Sequence, residues 1–190
     1  MEIILASKSP RRREILSLMG ITDFSVSPAP DEEQVTGLPP DETVKRIAEG
    51  KAKAVARLHE SALVIAADTL VFLDGEMLGK PKDESDAKRM LRALSGRSHE
   101  VYTGVCVMKD GKKELACERT VVRFRPLTDG EIDEYVASGE PMDKAGAYGA
   151  QGRGSVLVEG IEGDFFNVMG LPACRLYLMI RDLFAQGEQQ

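Results

Sequence analysis

Two Asp-Gly dipeptides, Asp74-Gly75 and Asp110-Gly111, each sit between runs of apolar and β-branched residues. Such dipeptides suit two-residue hairpin turns, whose central positions need positive φ. A chain with two hairpins is not a purely parallel, doubly wound sheet, in which every strand is joined to the next by a crossover. Helices are nevertheless written between the other strands. Ser9 suits an N-cap, Pro10 a first helical position and Gly20 a stop, with Ile15, Leu16, Leu18 and Met19 facing the core. A second helix covers Asp41 to Leu58, with Val44, Ile47, Ala48, Val55 and Leu58 on one stripe. Asp83 caps a third, whose Ala87, Met90, Leu91 and Leu94 share a face before Gly96 closes it. Thr128 and Glu131 form a capping box for a fourth, to about Ala137, and a last helix runs from about Pro172 to Phe184. The strands read as Ile3–Ala6, a short one after Ser25, Leu63–Ala67, the hairpins Thr69–Leu78 and Val101–Phe124, and Ser155–Val158. The expected fold is α/β, a mixed and partly antiparallel twisted sheet flanked by helices.

Length and composition narrow the class. The 190 residues fit one domain or two small lobes sharing a core, and 43% hydrophobic residues suffice to fill it. No stretch approaches the ~20 apolar residues that cross a bilayer. The apolar run Met1–Ala6 is followed by its basic residues, the reverse of a signal peptide, so a cytoplasmic location is expected. Cys106, Cys117 and Cys174 are scattered, with only His59 and His99 to supplement them, which fits neither a disulfide scaffold nor a zinc site. A formal charge of −6 argues against a protein that wraps nucleic acid, so an anionic ligand must be held by a local cluster of cations.

Three places break the rules of a sequence built for stability alone. Arg11, Arg12 and Arg13 fall in the first turn of the first helix, where the macrodipole makes each cation unfavourable by ~0.3–1 kcal/mol. An anion at the helix mouth reverses that sign, with phosphate the natural candidate; a solvated basic turn relieved by Glu14 is the competing explanation. Lys51 lies within the apolar stripe of the second helix, so it must snorkel, pair with an anion or lose its charge; the functional reading is an ammonium aimed at a phosphate oxygen. Asp68 stands where a five-residue apolar strand ends, a position for a metal ligand or general base, or for a cap on the next turn. Thr69 beside it orients a ligand or is simply a β-branched strand residue. Lys80, in Gly79-Lys80-Pro81, adds a cation on a rigid loop. The loop Lys144–Gly154 carries glycine at 146, 149, 152 and 154, yet matches neither a dinucleotide fingerprint nor a Walker loop. Within it Gln151 offers both a donor and an acceptor to a base edge, while a purely structural turn is the alternative.

The segments Leu5-Ala6-Ser7-Lys8-Ser9-Pro10-Arg11-Arg12-Arg13-Glu14, Ala66-Ala67-Asp68-Thr69, Gly79-Lys80-Pro81, Leu94-Ser95-Gly96-Arg97-Ser98-His99, the loop through Gln151 and Asn167-Val168-Met169-Gly170-Leu171-Pro172 together resemble the Maf family of nucleotide pyrophosphatases. Their order and spacing extend over nearly the whole chain. The resemblance implies a fold like that of inosine triphosphatase, with residues 1–190 as a single domain of two lobes around a central cleft. It implies cleavage of the α–β phosphoanhydride of a nucleoside triphosphate with a divalent cation, magnesium or manganese. By that likeness Asp68 activates water and sits near the metal, and Glu33, in Asp31-Glu32-Glu33, helps bind it. Ser7, Arg11, Arg12, Lys51 and Lys80 would hold the triphosphate, while Arg11, Thr69 and Gln151 match positions associated with substrate choice. The loop resembles the branch acting on dTTP and UTP rather than the one preferring 7-methyl-GTP, and the resemblance implies a homodimer; the net charge and 5% aromatic content argue against a stable nucleic-acid partner. With no Ser–His or Cys–His constellation, water is expected to attack directly, without a covalent intermediate. The alternative is a nucleotide-binding regulator of cell division and septum formation, which needs the phosphate cradle but no base.

Overall fold

In a computed structural model, residues 1–30 and 35–185 are described. Glu33, the expected metal ligand, lies outside the described residues. The two Asp-Gly dipeptides turn hairpins: Asp74 and Asp110 both take φ 50°, followed by Gly75 at 90° and Gly111 at 76°. They join β3 (Leu63–Leu73) to β4 (Glu76–Leu78), and β5 (Ser98–Lys109) to β6 (Lys112–Phe124). The remaining strands are β1 (Ile3–Leu5), β2 (Ser25–Val26) and β7 (Val158–Glu162). The sheet runs β2-β1-β3-β5-β6-β7, with β4 also on β3. β1 is parallel to β2 and β3, whereas β4 on β3 and β7 on β6 are antiparallel, so the sheet is mixed as expected.

The helices are α1 (Pro10–Leu18), α2 (Pro40–Ala56), α3 (Glu84–Leu94), α4 (Asp129–Ala137), α5 (Phe165–Met169) and α6 (Ala173–Ala185). Asp83 caps α3 by accepting from the Asp86 N–H at 2.8 Å. The capping box of α4 closes in both directions, Glu131 N–H to Thr128 Oγ1 and Thr128 N–H to Glu131 Oε2. Three expectations need correction. Leu63–Ala67 and the first arm of the Thr69–Leu78 hairpin are one strand, β3, which runs through Asp68 without a break. The strand after the glycine-rich loop begins at Val158, because Gly152–Leu157 coils as a 3-10 segment. Leu18, the last residue of α1, and Leu58, two residues past the end of α2, are 67% and 73% exposed, because periodicity no longer sets the face where the helix ends. α5 carries no sequence signal, being too short for a periodic pattern, and Asp164 Oδ1 caps it through the Phe166 N–H.

The contacts divide the chain into two units. The first holds Met1–Asp68, Thr103–Glu118 and the chain from Gly170; the second holds Thr69–Tyr102 and Arg119–Met169. The first unit packs α2 on the sheet through small residues, Ala48 and Ala52 against Ile4, Ala6, Val64, Ala66 and Cys106. Small side chains let helix and sheet approach closely, and Gly104 marks the limit: a Cβ there would lie 2.3 Å from the Val44 carbonyl oxygen. The second unit packs α3 and α4 around Leu78, Phe124 and Leu157. At its centre His99, Phe124 and Tyr148 meet edge to face, with centroids 4.7–5.3 Å apart.

Candidate active site

In the first unit the site starts from an interrupted ladder. β1 pairs with β3 as far as Leu5 opposite Ile65, and the Ala6 N–H donates to the Ile65 carbonyl at 2.8 Å. The chain then turns into α1. The Ala67 carbonyl, two residues on and facing the same edge, needs another donor. Arg12 supplies it, Nη1 donating at 2.8 Å, with Lys51 Nζ 3.5 Å away. Two cations thus cover backbone that a longer β1 would have paired.

Arg12 is held on three sides. Nη1 also donates to Ser7 Oγ at 3.1 Å, and Nε donates to the Gly170 carbonyl at 2.8 Å. Burial lowers its pKa to about 10, opposed by Asp68 and assisted by the neighbouring charge of Arg11, so it stays cationic at neutral pH. Ser7 is buried, and its Oγ accepts from the Ser9 N–H as well as from Arg12. With both lone pairs engaged, the hydroxyl proton is what Ser7 has left to offer, which suits an anion's oxygen. Ser9 occupies the N-cap of α1 but makes no side-chain capping bond, and the first turn holds no acidic residue. The half-buried Arg11 completes that turn beside Arg12.

Of the readings open to Lys51, the structure shows pairing with an anion. Its Nζ stands 2.7 Å from Asp68 Oδ1, and the two side chains are 13% and 19% exposed. Asp68 is not the cap of a following turn, because β3 carries on through it: the residue lies mid-strand, between the segment paired with β1 and the segment paired with β4. Ser7, Arg12, Lys51 and Asp68 therefore come together, from a loop, two helices and a strand. The cluster has more positive than negative charge among the described residues, as binding of a polyanion requires.

Thr69, Lys80 and Gln151 belong to the second unit. Thr69 is half-buried on β3, and Lys80 is exposed just after β4. Beside Lys80, the Gly79 carbonyl accepts from the Gly146 N–H at 3.0 Å, tying that turn to the glycine-rich loop. Gly146 takes φ 67°, and a Cβ there would lie 2.7 Å from Val71 Cγ2. The loop folds around a carboxylate that sequence reasoning missed. Glu140 accepts from the N–H groups of Arg153 and Gly154 and from the Tyr135 hydroxyl. No spacing rule marks Glu140, since its backbone partners lie 13 and 14 residues downstream. His99 is a core residue: it is 2% exposed, its Nε2 is 2.8 Å from Tyr148 Oη, and burial holds its pKa down at about 4.

The donor set for a divalent cation is small. Among the described residues no group of three or more His, Cys, Asp or Glu could hold a metal, which leaves Asp68 as the carboxylate of the cluster. One or two carboxylates completed by substrate phosphate oxygens is how magnesium is commonly held, so the residues present fit such an ion.

Among the described residues no helix is long and apolar enough to cross a membrane. Residues 2–183 match the family described as Maf-like protein. A dTTP/UTP pyrophosphatase of Aquifex aeolicus (strain VF5) is 52% identical over 183 residues, covering 96% of both chains. Another, from Moorella thermoacetica (strain ATCC 39073 / JCM 9320), is 53% identical over 174 residues, 90% of this chain and 89% of its own. Among solved structures, the Staphylococcus aureus Ham1 protein covers 99% of this chain and 100% of its own with a TM-score of 0.53. At 17% identity that likeness is one of fold alone.

Proposed function

Because this chain belongs to the Maf family, we propose that it hydrolyses dTTP and UTP to the monophosphate and pyrophosphate. The observation that carries this reading is the meeting of Arg12 and Lys51, from separate helices, at the Ala67 carbonyl and beside the Asp68 carboxylate. Guanidinium and ammonium neutralise phosphate charge, and the Ser7 hydroxyl donates to a phosphate oxygen. Asp68 takes a proton from water as the water oxygen bonds to the α-phosphorus. The bridging P–O bond then breaks, and pyrophosphate leaves with the electron pair, its charge balanced by Arg12 and Lys51. Asp68 would also hold the divalent ion, which supplies Lewis-acid polarisation of the phosphate and a lowered pKa for bound water. No side-chain nucleophile is needed, so no covalent intermediate forms.

The same proposal gives Arg11, Thr69, Lys80 and Gln151 roles in holding and choosing the substrate, and Glu33 a role at the metal. It takes residues 1–190 as one Maf-like domain. Magnesium or manganese as the ion and a homodimeric assembly are supported by the family resemblance. A cytoplasmic location is supported also by the free thiols of Cys106, Cys117 and Cys174. Light scattering coupled to size exclusion reads the assembly. The reaction is tested by incubating the protein with magnesium and dTTP, UTP, CTP and GTP and identifying the products. The expected result is dTMP or UMP with pyrophosphate. Release of orthophosphate alone rejects the proposed bond, and nucleotide recovered bound but uncleaved favours the regulator.

A further inference from the structure

We propose that Glu140 and Tyr135 are positioning residues for base selection, fixing the loop around Gln151 so that its amide oxygen accepts a ring N–H. The inference rests on the functional reading above and deepens it.

Glu140 follows Gly139, which takes φ 74°, and opens a 3-10 turn. Its own backbone is secured first: its N–H donates to Ser138 Oγ at 3.2 Å, and its carbonyl accepts from Lys144 Nζ at 2.6 Å. The carboxylate then takes three donors. Oε1 accepts from the Gly154 N–H at 3.1 Å and from the Tyr135 O–H at 3.0 Å, and Oε2 accepts from the Arg153 N–H at 3.0 Å. Tyr135 Oη in turn accepts from the Gly149 N–H at 3.2 Å. Gly149 lies two residues before Gln151 and Arg153 two after, so the strap grips the loop on both sides of the amide.

The fit is tight enough to dictate glycine. A Cβ on Gly154 would lie 2.4 Å from the Gly149 carbonyl oxygen and 2.6 Å from Tyr135 Oη. One on Gly152 would lie 3.0 Å from Glu140 Oε2, at a residue whose φ is 81°. Burial pushes the Glu140 carboxyl pKa up, but the Arg153 and Gly154 N–H groups outweigh it and hold it below the usual carboxylate range. The strap is therefore charge-assisted at neutral pH.

What it holds is an unmet acceptor. Gln151 Oε1 is buried and has no hydrogen-bond partner among the described residues. A buried carbonyl oxygen without a donor is unfavourable, and a ligand N–H removes that penalty. Uracil and thymine carry a hydrogen on N3, whereas cytosine presents a lone pair there. An acceptor fixed in place thus favours the first two and repels the third.

Glu140→Gln turns one acceptor oxygen into an NH2 that faces a backbone donor, and Tyr135→Phe removes the link to Gly149. Both variants, with and without Gln151→Ala, are assayed with UTP and CTP, and backbone amide exchange is followed in the nucleotide-free proteins. In Glu140→Gln the amides of Arg153 and Gly154 should exchange about tenfold faster, and kcat/KM for UTP should fall about tenfold, chiefly through KM. The preference for UTP over CTP should narrow, and Gln151→Ala should cost less in that background than alone. If Glu140→Gln does not fold, Tyr135→Phe carries the same comparison, with Gly149 as the reporting amide. A wild type that cleaves neither dTTP nor UTP overturns the functional reading and this inference with it. Wild-type turnover combined with equal losses on UTP and CTP, an undiminished Gln151→Ala effect, or unchanged amide exchange overturns the inference alone.

Discussion

His99 makes the second unit sensitive to acid in a calculable way. It lies in the core between Phe124 and Tyr148, and burial lowers its pKa from 6.5 to about 4. An unfolded chain takes up the imidazole proton near pH 6.5, while the folded chain refuses it until about pH 4. The folded state binds fewer protons in that window, so the contribution is fully present above pH 6.5 and is lost as pH falls towards 4. From pH 7 to pH 5 the loss is about 2 kcal/mol, and it reaches about 3 kcal/mol once the folded imidazole also protonates. The perturbation that isolates it is the double variant His99→Phe, Tyr148→Phe, which keeps the edge-to-face packing and removes both polar partners together. Urea unfolding at pH 7 and pH 5 reads the difference. Carboxylates elsewhere contribute equally to both proteins, so the wild type should lose about 2 kcal/mol more than the double variant. Equal losses would refute the assignment of a neutral, buried His99.

Three other perturbations test the frame and the chemistry. Gly104→Ala sets a methyl 2.3 Å from the Val44 carbonyl oxygen, and urea unfolding should register a loss of at least about 2 kcal/mol; a smaller loss would mean that α2 moves aside freely. Thr128→Ala removes one half of the capping box of α4 and should lower stability by about 1 kcal/mol in the same assay, with no change indicating an idle cap. Chelation by EDTA should abolish UTP turnover, and magnesium or manganese should restore it; full activity in EDTA would remove the metal from the mechanism.

The parts of the fold legible in the sequence were those governed by local chemistry. Asp74-Gly75 and Asp110-Gly111 gave both hairpins because turn geometry is set by two residues, and Asp83, Thr128 and Glu131 marked helix starts because caps act within three residues. The extent of β3 was not legible: Asp68 and Thr69 interrupt its apolar run, yet a polar residue can stay in strand when neighbouring helices bring cations to it. The candidate site was legible as misplaced charge. Arg12 and Lys51 stood out because each violates its own helix, and both violations are explained by one carbonyl and one carboxylate on β3. Glu140 and Tyr135 gave no such signal, because an acid beside a proline and a tyrosine on an apolar helix face are ordinary until the loop folds back onto them.

The central claim is that the Asp68 carboxylate, set among Ser7, Arg12 and Lys51, activates water against a bound triphosphate. Its most direct test is the single-turnover rate on UTP of Asp68→Asn beside its affinity for a non-hydrolysable UTP analogue. The account predicts a rate lowered by ~10²-fold or more, with the analogue still bound. A rate near that of the wild type, with binding intact, would contradict it.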